Sequence, residues 1–66
     1  STDLDTNQYE KYKEKLKALL KREQLTEEEV LETFAARRHE DVILSLSHLL
    51  DEGLVEKENG KLVWRE

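Results

Sequence analysis

The feature that most constrains this chain is a change of hydrophobic period at Gly53. Ahead of it, apolar residues recur every three or four positions, as on one face of a helix. After it that spacing stops: Leu54-Val55 and Leu62-Val63-Trp64 flank a polar run over 56–61, and Asn59-Gly60 stands within that run. Asn-Gly is the preferred pair for a two-residue type I′ turn, so residues 54–65 read as a β-hairpin. That turn pairs Glu58 with Lys61, Lys57 with Leu62, Glu56 with Val63 and Val55 with Trp64. Val55, Leu62 and Trp64 then share the core face. Glu56, Glu58, Lys61 and Arg65 take the other, with Val63 among them. A lone hairpin is marginal in water, so this one must pack on the helices before it.

Three helices are expected there. Over residues 7–23, Tyr9, Tyr12, Leu16, Leu19 and Leu20 share one face, and Thr6 or Asn7 can cap the start. Thr26 with Glu29 three residues on is a capping box for a second helix over 27–35, burying Val30, Leu31 and Phe34. Leu25 serves as a hydrophobic staple or as a very short strand. Residues 36–39 read as a turn, although they hold neither Gly nor Pro. One continuous helix over 27–52 is the rival, and it would leave the first helix little to pack against. The third helix covers 40–52 with Val42, Ile43, Leu46, Leu49 and Leu50 as its buried stripe, and Gly53 ends it at positive φ.

The whole is one domain over 7–66, mainly α with a small β element, behind a linker at 1–6. Ser1 in place of an initiator Met reads as a piece cut from a longer protein. At 66 residues the domain buries about 60% of its unfolded surface, with little room for a water-excluding pocket. No enzyme is expected. There is no cysteine, which excludes disulfides, thiolate metal sites and a cysteine nucleophile. His39 and His48 have no third nitrogen or sulfur ligand, so no metal and no cofactor are expected. No apolar run approaches the ~20 residues of a membrane span, and the acidic start is no signal peptide. An intracellular, soluble chain without a membrane partner or a small-molecule substrate is the expectation.

The net charge of −5 is unevenly spread. Residues 7–23 hold six Lys/Arg against three Glu, whereas residues 24–66 hold five against eleven Asp/Glu. The first helix is basic and the rest acidic.

Leu25-Thr26-Glu27-Glu28-Glu29-Val30-Leu31, then Ser45-Leu46-Ser47-His48-Leu49-Leu50-Asp51-Glu52-Gly53-Leu54-Val55, then Asn59-Gly60 at a hairpin tip, resemble the winged helix-turn-helix superfamily. The likeness spans residues 8–65 and identifies no closer family. It implies three helices followed by a two-stranded antiparallel wing. It also implies either DNA binding through the third helix or a module converted to protein interaction.

The residues favour the second. A groove-reading helix offers Arg, Lys, Asn or Gln to base edges. The arc of the third helix opposite its apolar stripe carries Glu40, Leu44, Ser47, His48 and Asp51, with Asp41 and Glu52 at its edge. Leu44 lies near the centre of that arc, an apolar anchor in a polar ring that suits a protein partner. The alternative is DNA or RNA bound through Arg37 and Arg38, with Lys57 and Lys61 in the wing. Lys13, Lys17 and Lys21 form a further basic row, read as the wet face of the first helix. A purely structural accessory domain, such as a homodimer module formed through the first helix, is the third possibility. Trp64 is expected in the core.

Overall fold

The computed structural model describes residues 5–65, and the order of elements follows from local chemistry. Helix α1 spans Thr6–Arg22, α2 spans Glu27–Glu32, and α3 spans His39–Glu52, with a 3-10 turn at Ala36–Arg38 between the last two. Strands β1 (Val55–Glu58) and β2 (Lys61–Trp64) pair antiparallel in the expected register, Val55 opposite Trp64 through Glu58 opposite Lys61. The layout is three helices followed by a two-stranded wing.

Each boundary has a physical cause. Asp5, rather than Thr6 or Asn7, caps α1: its Oδ1 accepts from the Asn7 amide at 2.9 Å. The linker assigned to 1–6 is thereby shortened, because Thr6 is already helical; residues 1–4 lie outside those described. Thr26 closes its capping box, with Glu29 N–H donating to Thr26 Oγ1 at 3.1 Å and Thr26 N–H donating to Glu29 Oε1 at 2.9 Å. Leu25 supplies a one-residue third strand: Leu62 N–H donates to its carbonyl at 2.6 Å.

Helix α2 ends at Glu32, three residues short of the expected Ala35. Thr33 Oγ1 donates to the Val30 carbonyl at 2.7 Å, and Ala35 turns extended (φ −60°, ψ 147°). The continuous helix over 27–52 is therefore excluded, and the chain is broken without Gly or Pro. One tertiary and one local hydrogen bond hold the break. Arg38 Nη1 donates to Tyr12 Oη at 3.0 Å, and His39 Nε2 donates to the Phe34 carbonyl at 3.0 Å.

Gly53, at φ +80°, ends α3 in a Schellman motif, with Leu54 N–H donating to the Leu49 carbonyl and Gly53 N–H to that of Leu50. Asn59 and Gly60 are both at positive φ, 53° and 80°, as a type I′ turn requires.

The core joins Tyr12, Leu16 and Leu20 of α1, Leu25, Val30, then Val42, Leu46 and Leu49 of α3, and Val55, Leu62 and Trp64 of the hairpin. Leu31 and Phe34 are half-buried against it, less covered than expected. Trp64 is buried, and Lys17 Nζ stands 5.9 Å from its ring centroid, within cation–π reach. Lys13 and Lys17 are half-buried, so the row read as a wet face keeps only Lys21 fully in solvent. Val63, on the outer side of the hairpin, is also buried. Arg65 shares that side, donates to Glu56 at 2.6 Å and contacts Glu58, so its arm runs along the face that holds Val63.

Candidate functional site

The outer face of α3 is fixed by what its inner face buries. Val42, Ser45, Leu46 and Leu49 are buried. At about 100° per residue, Glu40, Leu44, Ser47 and Asp51 fall opposite that arc. Glu40, Ser47 and Asp51 are exposed. Leu44 is half-exposed and belongs neither to the core nor to the apolar residues packed against it. It is therefore less exposed than an anchor at the centre of the solvent arc should be.

Ile43 is the correction. Its place in the expected stripe implied burial, yet it is 42% exposed, the one large apolar side chain so open among the described residues. Ser45 takes the buried position instead, at 0% exposure. Helix phase explains the exchange. Val42, Leu46 and Leu49 lie close together around the helix, and Ile43 stands about 100° from Val42. Counting Ile43 and Leu50 by their apolarity pulled the expected stripe off its true centre. The phase of Val42, Leu46 and Leu49 alone carried the signal that Ile43 faces out.

His48 is exposed but borders α1 instead of the centre of the face. Its ring meets Tyr9 edge-on at 5.4 Å between centroids. Beside it, Tyr9 Oη donates to Glu52 Oε1 at 2.6 Å. Burial first, then that hydrogen bond and the charges of Glu52 and Glu10, push the Tyr9 phenol above its usual range. These contacts fix the end of α3 against α1 and leave the remainder of the outer face open.

The electrostatics of α3 are one-sided. Glu40, Asp41, Asp51 and Glu52 lie on it, and it holds no Lys or Arg. Glu40 and Asp51 make no ion pair among the described residues.

The four cations of the nucleic-acid alternative are placed differently. Arg37 and Arg38 are both exposed, and the Arg38 guanidinium also donates to the Tyr12 hydroxyl. Lys57 and Lys61 are exposed on the hairpin. Lys61 stands near enough to Glu29 to help hold that carboxyl below its usual range, after the larger effect of the Thr26 backbone hydrogen bond. Arg38 thus sits where the turn meets α1, and Lys61 sits by the first turn of α2. No hydrogen bond or ion pair among the described residues joins the two pairs.

Among the described residues, no group of three or more His, Asp or Glu is placed to hold a metal ion, and no helix is long and apolar enough to cross a membrane. Fold and surface together define a small, mainly helical domain with an antiparallel wing and an acidic third helix. Comparison with protein-family models, with curated proteins and with solved structures finds no match to this chain.

Proposed function

We propose that the chain is a non-catalytic interaction module of the winged-helix type. It docks a protein partner through the outer face of α3: Glu40, Ile43, Leu44, Ser47 and Asp51, with His48 at the border. The observation that carries this reading is Ile43, 42% exposed on a helix with four carboxylates and no Lys or Arg. An open branched aliphatic side chain beside a half-open leucine suits the apolar centre of a protein contact, and the acids around it suit a polar rim. The same acids oppose a phosphate backbone, whose neutralisation supplies most nucleic-acid affinity.

Affinity capture with wild type, Ile43→Asp and Leu44→Asp tests the reading. A set of proteins held by wild type and lost from both variants, with unchanged thermal melts, is the expected result. Identical sets from all three baits contradict it.

A further inference from the structure

We propose that the segment docked on this face is a cationic amphipathic helix. The inference rests on the reading that the outer face of α3 is a docking surface, and it adds the chemistry of the occupant. Ile43, Ser47 and Leu50 recur at spacings of four and three, so they line one ridge over about two turns of α3. Ile43 is open, and Leu50 is half-buried, packed against the core on one side and reaching the ridge with the other. Ser47 between them is small, exposed, and makes room for a bulky side chain from the partner.

A ridge of this spacing accepts another helix along its length, with apolar residues seven apart falling beside Ile43 and Leu50. Leu44 widens the apolar strip on its outer side. Glu40 and Asp51 lie along that same side, three turns apart, without a cation of their own among the described residues. A partner helix with Lys or Arg flanking its apolar residues satisfies both carboxylates, and an acidic one is repelled along the whole seam.

The probe is an 18-residue alanine-based helical peptide with two leucines seven residues apart, flanked by lysines. Its first twin has glutamates for the lysines, and its second has alanines for the leucines. Amide chemical shifts of the 15N-labelled domain report where each binds. The lysine peptide should move Glu40, Ile43, Leu44, Ser47, Leu50 and Asp51 together, and should bind at least tenfold more tightly than either twin. Glu40→Lys with Asp51→Lys should transfer the preference to the glutamate peptide.

Equal binding of the lysine and glutamate peptides on these amides would overturn the charge assignment and leave the docking reading standing. Shifts confined to another surface, no binding of the lysine peptide at millimolar concentration, or equal binding of the leucine-free twin would each overturn the proposal. Concentration-dependent shifts of the same amides in the domain alone would overturn it in favour of a second copy of the chain. Capture of the same proteins by wild type, Ile43→Asp and Leu44→Asp is the separate result that removes the docking reading itself.

Discussion

Three side chains carry the account at the scale of single residues. Ser45 Oγ is buried and finds no hydrogen-bond partner among the described residues, and neither does Trp64 Nε1. An unsatisfied buried hydroxyl costs about 1–3 kcal/mol, and Ala is the better helix former. Ser45→Ala is therefore expected to stabilise the domain by about 1 kcal/mol, read as a higher urea midpoint at unchanged m-value. A loss of 1 kcal/mol would mean that the hydroxyl is satisfied after all. Ile43 behaves oppositely to the stripe residues. Ile43→Asp should stay within about 0.5 kcal/mol of wild type, as surface substitutions do, whereas Leu46→Ala should lose about 2–5 kcal/mol. Tyr9 provides a pH test. Its phenol is raised in the folded state, so the stability it contributes is complete below the unfolded phenol value of about 10 and is lost as pH rises through the folded one. Tyr9→Phe should flatten the alkaline limb of a stability–pH curve above about pH 10.

The elements divide by how local their causes are. The hairpin was legible in the sequence down to its register, because Asn59-Gly60 and the alternation of Val55, Leu62 and Trp64 act over a few residues. The same holds for the Thr26–Glu29 box and for the Gly53 stop. The end of α2 was not legible, because the extended Ala35 is held by Arg38 on Tyr12, a contact across 26 positions of sequence. The exposed face of α3 was read only in part. Glu40, Ser47 and Asp51 are open as expected, but Ile43 and Ser45 exchange places because α1 and the hairpin choose the buried arc, not apolarity alone. The local devices make firm predictions. Gly53→Ala places a Cβ on a left-handed residue at φ +80° and should cost about 1–2 kcal/mol, although no atom crowds the site. Thr26→Ala should cost about 1 kcal/mol by opening the box. The Glu29 carboxyl is lowered in the folded state, so its contribution is complete above the unfolded value of about 4.3 and is lost as pH falls through the folded one. Urea midpoints followed down to pH 2 should fall less steeply for Glu29→Gln than for wild type.

Across the whole molecule, charge is sorted by element. The basic stretch at 7–23 forms nearly all of α1, part of whose cationic row leans over the hairpin through Lys17 on Trp64. The acidic remainder forms α2, α3 and the hairpin, and α3 meets solvent with an open isoleucine and no Lys or Arg. A domain arranged this way should show no salt-steep shift with duplex DNA. A retarded band at low salt that vanishes by about 200 mM would favour contacts through Arg37, Arg38, Lys57 and Lys61 instead. The central claim is that the outer face of α3 is covered by a protein partner. Photo-crosslinking from that face tests it most directly, with benzoylphenylalanine placed at Ser47 in one version and at Lys57 in another. The account predicts discrete protein adducts from position 47 that disappear with Ile43→Asp, and none from position 57. Adducts from position 57 alone, or adducts from position 47 indifferent to Ile43→Asp, would contradict it.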